Sequence, residues 1–217
     1  MTYSEENYLK TIFHLTVVSN SEVSTNSIAE MMETKASSVT DMIKKLAEKD
    51  LVNYKKYQGV SLTNKGKLAA KMIVRRHRLW EVFLVENLNF SWDEVHEVAE
   101  QLEHIKSEKL ISELDRFLGY PKRDPHGDPI PDDQGNFKIL NKVLLSELKK
   151  GESGIFVGVK DSSVAFLQFL DKRNIGLGDE IKIIEREPFD QSVLIKINEQ
   201  ELRVSHLISG NIFIKIT

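Results

Sequence analysis

Cysteine is absent from this 217-residue chain, so neither disulfide bonds nor thiolate metal ligands are available to it. Four of the five prolines fall between positions 121 and 131, in YPKRDPHGDPIP, which marks that stretch as a loop and leaves the rest almost free of helix breakers. No apolar run reaches the roughly eighteen residues of a membrane span. The opening MTYSEENYLK has no signal-peptide apolar region, so no membrane partner and a cytoplasmic location are expected. Also missing are HExxH, GxSxG, a P-loop and a Gly-rich dinucleotide loop, the signatures of many hydrolases and nucleotide enzymes.

What is present is ordinary soluble composition, 41% hydrophobic and 29% charged, with enough length for one large domain or a few small ones. The net charge of −3 is unevenly spread. Residues 1–75 carry 11 basic against 8 acidic groups, residues 76–150 carry 11 against 15, and residues 151–217 carry 8 against 10. A basic first third suits a polyanion, and an acidic middle suits a cation.

Apolar spacing predicts a first helix over residues 4–18, with Tyr8, Leu9, Ile12, Phe13 and Leu15 on one side. A second follows over 25–33, with Thr25 as N-cap and Ile28, Met31 and Met32 inward. A third begins near Lys35–Ala36, with Val39, Met42, Ile43 and Leu46 as its buried stripe. Two short extended runs, LVNYKKY and VSLT, joined by a turn at Gln58–Gly59, complete the order of a winged helix-turn-helix. Residues 64–88 are helical again, and Ser91 with Glu94 reads as a capping box before a helix through residues 96–104. Beyond the Pro-rich loop and a linker near 136–146, five short Ile/Val-rich runs suggest a small SH3-like barrel. The expected chain is mainly α with a small β domain, divided into 1–64, 65–140 and 147–217.

Two groups of residues carry chemistry. In HEVAEQLEH, the residues His96, Glu100, Glu103 and His104 are offset by 0, 4, 7 and 8, one face of a helix. His77 and Glu81 form a second i, i+4 pair. Imidazole with carboxylate suits a divalent first-row ion, and an open position on such an ion could also activate water in a hydrolase. The same spacing equally describes a solvated face with an ordinary Glu100–His104 pair. One helix cannot bring four ligands to one ion, so the set must split or leave members idle. The second group opens the third helix: Lys35, Ser37, Ser38 and Thr40, then Lys44, with Thr25, Lys55 and Lys56 nearby, types that bond phosphates and base edges. A polar face meeting water, or a protein-interaction module, would show the same residues.

Together these elements resemble the diphtheria toxin repressor/manganese transport regulator family of metal-dependent transcriptional repressors. The resemblance spans nearly the whole chain and rests on SEENYLKTI, SSVTDMIKKLAEKDLV followed by Y-x-G-V-x-LT-x-KG, RRHRLWEVFL, VHEVAEQLEH and DPHGDPIP in order. It implies a winged DNA-binding head, a helical dimerisation and metal-binding body, and a FeoA-like barrel. It also implies a main metal site of Asn7, Glu100, Glu103 and His104, joined in some members by the Pro-rich loop, here His126 and Asp124. An ancillary site would use His77, Glu81 and His96 with an acidic barrel residue, by position Asp161; in manganese-type members His77 joins the main site instead. Two departures stand out: Asn7 replaces the family's Asp or Met, and Lys10 replaces the Glu of manganese-type members. Lys10, a cation, should exclude a carboxylate-bridged pair of ions. Glu100 stands where iron-responsive relatives have cysteine, and such an oxygen ligand favours Mn²⁺ or Fe²⁺ over softer, thiol-preferring ions; Mn²⁺ is expected first and Fe²⁺ second.

The function implied is a Mn²⁺- or Fe²⁺-dependent repressor of metal-homeostasis genes, binding double-stranded palindromic DNA as a homodimer. The alternative is a metal-dependent hydrolase built on the same cluster. Without metal, Glu100 and Glu103 should repel one another and leave the first helix mobile. The dimer contact is expected from Leu79, Phe83, Leu84, Leu110 and Leu114.

Overall fold

The computed structural model describes residues 1–19, 21–55, 59–138 and 140–216. They form two compact units: Met1–Trp80 with Glu100–Leu114 and Pro131–Phe137, and Glu81–Ala99 with Asp115–Ile130 and Lys138–Thr217.

The first unit opens with α1 (Tyr3–Ser19), α2 (Thr25–Met31) and α3 (Ala36–Glu48), followed by a hairpin of β1 (Val52–Lys55) and β2 (Gly59–Leu62). On α3, Val39, Ile43 and Leu46 recur at helical spacing and are fully buried, packed with Leu9 and Ile12 of α1 and Ile28 of α2. The hairpin pairs Val52 with Leu62 and Lys55 with Gly59. Val23, between α1 and α2, exchanges both backbone hydrogen bonds with Val60 and so extends the wing by one bridge. The expected turn at Gln58 and the residue Lys56 lie outside the described residues.

Two local expectations are corrected here. The cap of α2 is Ser24, whose hydroxyl accepts from Ser27 N at 3.0 Å, so Thr25 is the first helical residue. Ile28, Ala29 and Met32 make the inner face of this short helix, which rotates Met31 outward to 57% exposure. Replacing Ser24 with alanine should cost about 1 kcal/mol, the usual worth of such a cap, readable as a lower denaturation midpoint with unchanged slope.

Residue Thr63 caps the long helix α4 (Asn64–Leu88), its hydroxyl accepting from Gly66 N at 2.9 Å. Gly66 lies so close to Leu51 that a Cβ there would sit 1.8 Å from the Leu51 carbonyl oxygen, so only glycine lets α4 start against the wing. Leu79 and Leu84, expected at a subunit contact, are buried within the chain, whereas Leu110 is 40% exposed. The helix α5 (Val95–Leu102) stops before Glu103, a turn follows, and α6 (Glu108–Phe117) is separate. The expected single face through residue 104 is therefore broken. Ile105 N closes the turn on Leu102 O, and the Arg76 guanidinium takes the Glu103 carbonyl that a continuing helix would have used.

In the second unit, β3 (Val143–Leu144), β4 (Ser153–Val159), β5 (Glu180–Arg186), β6 (Val193–Ile197), β7 (Gln200–Val204) and β8 (Ile212–Ile216) form one antiparallel sheet, ordered β3-β8-β4-β5-β6-β7. Burial alternates along β6, with Val193, Ile195 and Ile197 inside, the period of two that made the strands legible. Among the elements not anticipated, β3 falls in the stretch expected to be a linker, and α7 (Val164–Asp171) packs Phe166, Leu167 and Leu170 into the sheet's core. The short helix α8 (His206–Ser209) precedes β8.

Candidate metal centre

Within the first unit, α1 places Glu6, Asn7 and Lys10 on neighbouring positions of one face, because residues three and four apart adjoin on a helix. Glu6 and Lys10 meet the segment that follows α5. His104 Nδ1 lies 2.7 Å from Glu6 Oε2, and the His104 ring stacks on Tyr3 with centroids 4.4 Å apart. Lys10 Nζ donates to Glu103 Oε2 at 2.8 Å and to Glu100 Oε1 at 3.3 Å. It also lies 2.7 Å from Glu103 Oε1, an ionic contact without hydrogen-bond geometry. His77 Nδ1, from α4, meets Glu103 Oε2 at 2.7 Å. Around this core, Arg76 and Lys106 approach Glu6 at 3.6 and 3.9 Å. Three carboxylates, Glu6, Glu100 and Glu103, thus face three fixed cations, Lys10, Arg76 and Lys106.

The burial is steep. The Glu103 side chain is 0% exposed, while that of Glu100 is 51% exposed. Burial pushes the Glu103 carboxyl up, but the His77 hydrogen bond and the Lys10 ammonium outweigh it and hold the group below the ordinary carboxylate range. The expected repulsion between Glu100 and Glu103 is corrected by the same contacts, since Lys10 sits between them and neutralises it.

The donor set fits a divalent ion. Glu6 on His104 Nδ1 directs Nε2 of that ring toward Glu103, with Nε2 and Oε1 3.9 Å apart, so both could bind one ion at about 2.1 Å. Asn7 Oδ1 is buried and has no hydrogen-bond partner, an acceptor left over for something that accepts no hydrogen bond itself. Of Asn7, Glu100, Glu103 and His104, expected together, Glu100 and Glu103 share Lys10, His104 Nε2 lies 3.9 Å from Glu103, and Asn7 stands three residues before Lys10 on α1. Glu6 was missed, although its place four residues before Lys10 puts it on the same face.

The second unit holds a separate cluster. Glu81, Asp124 and His126, all buried, have ligand atoms within 4.8 Å of one another. His126 Nε2 reaches the Trp92 carbonyl at 2.7 Å and Nδ1 lies 3.7 Å from Glu81. Burial alone would depress the imidazole, but Glu81, Asp124 and the Trp92 carbonyl raise its pKa to about 9. Asp124 Oδ1 accepts from His126 N and Asp128 N, and Gly127 packs so tightly that a Cβ would lie 2.1 Å from the Val157 carbonyl oxygen. The Pro-rich loop is thereby clamped onto β4. His96 lies 3.6 Å from Glu81 with its side chain 62% exposed. Asp161 is not brought into this cluster; its carboxylate holds the Ser163 N–H and hydroxyl at the start of α7.

On α3, the face opposite the buried stripe is open: Lys35, Ser37, Ser38 and Lys44 are exposed, Thr40 bonds the Ala36 carbonyl, and Lys44 lies 3.6 Å from Asp41. Thr25 is half-buried at the start of α2.

Comparison with known proteins gives these arrangements their meaning. Residues 1–60 match the iron dependent repressor N-terminal DNA binding domain, residues 63–132 match the iron dependent repressor metal binding and dimerisation domain, and residues 143–216 match the FeoA domain. A DNA-binding head followed by a metal-binding, dimerising body defines a metal-responsive DNA-binding regulator. The chain is 33% identical over 143 residues to the HTH-type transcriptional regulator MntR of Oceanobacillus iheyensis, covering 66% of this chain and 90% of that protein. It is similar to a solved manganese-dependent transcriptional repressor in complex with manganese, at 34% identity and a TM-score of 0.87, covering 98% of this chain and 100% of that one. It is also 45% identical over 86 residues, 40% of its length, to a probable metal transport system membrane protein of Chlamydia trachomatis, of which it spans only 19%. The chain belongs to the diphtheria toxin repressor/manganese transport regulator family of metal-dependent transcriptional repressors. That family consists of DNA-binding regulators rather than enzymes, which removes the hydrolase alternative. No helix among the described residues is long and apolar enough to cross a membrane.

Proposed function

We propose that the chain is a Mn²⁺-responsive repressor of metal-homeostasis genes, with Fe²⁺ as the alternative ion, acting in the cytoplasm as a homodimer on a palindromic operator. One observation carries this reading: α1, part of the helix-turn-helix segment, contributes Glu6 and Lys10 to the same cluster as His77, Glu100, Glu103 and His104, with the buried Asn7 carbonyl oxygen on the turn between Glu6 and Lys10. An ion bound by Asn7, Glu100, Glu103 and His104 would tie the head's first helix to the end of α5. Filling the centre then biases the position of α3, and the required difference in ion affinity between DNA-competent and incompetent states is about 1–3 kcal/mol. Oxygen and imidazole donors without any thiolate suit Mn²⁺ or Fe²⁺, and the manganese complex of the similar repressor supports the former.

The three-part division into 1–64, 65–140 and 147–217 assigns the head, the body and the FeoA-type domain. His77, Glu81 and His96 remain our assignment for an ancillary position, with Asp124 and His126 beside Glu81 as further donors. For DNA we assign Thr25, Lys35, Ser37, Ser38, Thr40, Lys44 and Lys56, because a helix N-terminus with exposed hydroxyls and lysines is a ready phosphate and base-edge reader. Exposed Leu110 and Phe117 on α6 suit the dimer contact.

A mobility-shift assay on the DNA upstream of the chain's own gene, with Mn²⁺, Fe²⁺, Zn²⁺ or chelator, tests this. Retardation with Mn²⁺ or Fe²⁺ and none with chelator is expected; equal retardation in every lane would overturn it. Lys44→Ala should weaken binding across operator variants alike and lower the salt slope by about 1, as loss of a phosphate contact does.

A further inference from the structure

Lys10 sits at the middle of the Glu103 cluster. Its ammonium lies against both oxygens of Glu103, at 2.7 and 2.8 Å, and against Glu100 Oε1 at 3.3 Å. Its side chain is 12% exposed, and the Glu103 side chain is fully buried. A cation shared by these two glutamates would have to occupy this position, and here the chain supplies one from its own α1. Yet the lysine does not complete the centre. Asn7, three residues earlier on the same helix, keeps its buried carbonyl oxygen unpartnered, and His104 Nε2 stays 3.9 Å from Glu103 Oε1. These are atoms a divalent ion could take and an ammonium pointed at Glu103 does not.

We propose that Lys10 is a tethered competitor for the metal centre: its ammonium occupies the Glu103–Glu100 position in the metal-free protein, and an entering divalent ion must displace it. The proposal rests on reading the Glu103 cluster as the metal centre. An ammonium and a divalent ion placed on the same Glu103 and Glu100 oxygens would repel one another strongly, because they would lie a few ångströms apart where water is largely excluded. The exchange is feasible because lysine's four-carbon stem is flexible and its ammonium strongly hydrated, and because half-exposed Glu100 gives the displaced group a path to solvent. The ion, doubly charged, wins by engaging Asn7 and His104 as well. Lys10 thereby sets the ion concentration at which the centre fills. Metal-free α1 is held by this ion pair rather than freed by carboxylate repulsion.

The test is calorimetric titration of the full chain with Mn²⁺, comparing the parent with Lys10→Met and Lys10→Gln. Methionine keeps length and helix propensity without charge; glutamine keeps a donor to Glu103 should the methionine variant fail to fold. Both should bind at the centre with affinity raised by about 10-fold or more. Mn²⁺ should also raise their melting temperatures further than it raises the parent's, since stabilisation follows the ratio of ion concentration to Kd. Parent-like or weaker affinity in the folded variants would overturn the competitor role while leaving the metal-centre reading intact. Absence of Mn²⁺ binding in the parent and in both variants would overturn that reading, and the proposal with it.

Discussion

A Glu103→Ala variant is expected to show no metal-dependent retardation of operator DNA at ion concentrations that saturate the parent, with Mn²⁺ affinity lowered by about 100-fold or more. The scale follows from what outer partners of metal ligands are worth, about 10–100-fold each, which a direct anionic ligand should at least match. The geometry explains why no neighbour can substitute. Glu103 is the common partner of Lys10 and His77 and faces His104 Nε2. Its backbone carbonyl is held by Arg76, and Glu6 is already engaged by His104 Nδ1 at 2.7 Å. Removing one side of a buried ion pair also costs about 3–5 kcal/mol when the other charge is left behind. Lys10 can partly escape that cost through Glu100, so the metal-free variant should be less stable by a smaller amount. Fluorescence anisotropy of a labelled operator duplex, titrated with Mn²⁺, checks the first effect, and denaturation in chelator checks the second. A variant that matches the parent's metal dependence would remove Glu103 from the centre.

The second large effect is a pH dependence in the other unit. His126 has its pKa raised from 6.5 to about 9 in the fold, so its proton stabilises the native state. That contribution is present in full below pH 6.5, where the unfolded chain is protonated too, and fades as the pH climbs through 9. The span corresponds to roughly 3 kcal/mol of unfolding free energy at 1.36 kcal/mol per unit. His126 is only 7% exposed, so little of this is screened by solvent. Most of the loss should fall between pH 7 and pH 10. Denaturant unfolding of the metal-free protein across that range, compared with His126→Gln, isolates the effect from other titrating groups. The parent should lose stability more steeply than the variant; parallel curves would mean that Glu81 and Asp124 do not hold the proton.

How far the sequence could anticipate these features depended on the reach of each signal. The helix over 64–88 was readable because its helical pattern runs on for several turns, and the structure adds the Thr63 cap at its start. The buried stripe Val39, Ile43 and Leu46 was readable for the same reason. The end of α5 was not, since the turn there is held by Arg76, a side chain distant in sequence that donates to the Glu103 carbonyl. Spacing alone therefore drew His96, Glu100, Glu103 and His104 into one face, while the fold leaves His96 on α5 and turns Glu103 and His104 into a buried bend. Glu6 and Lys10 belong to a helix whose pattern announces only its apolar side. Their work is visible once α1 lies against residues 100–104. The clamp of His126 between Glu81 and the Trp92 carbonyl likewise joins three separate stretches of chain. Strand β3, two residues long, carried too little periodicity to be found.

The most direct measurement is Mn²⁺ affinity by calorimetry with and without operator duplex. If an ion at the α1–Glu103 centre favours the DNA-bound state, DNA must favour the ion by the same factor. A 5- to 150-fold tightening, the usual span of about 1–3 kcal/mol of coupling, is the expected result. Identical affinity in the two titrations, with DNA demonstrably bound, would contradict the account.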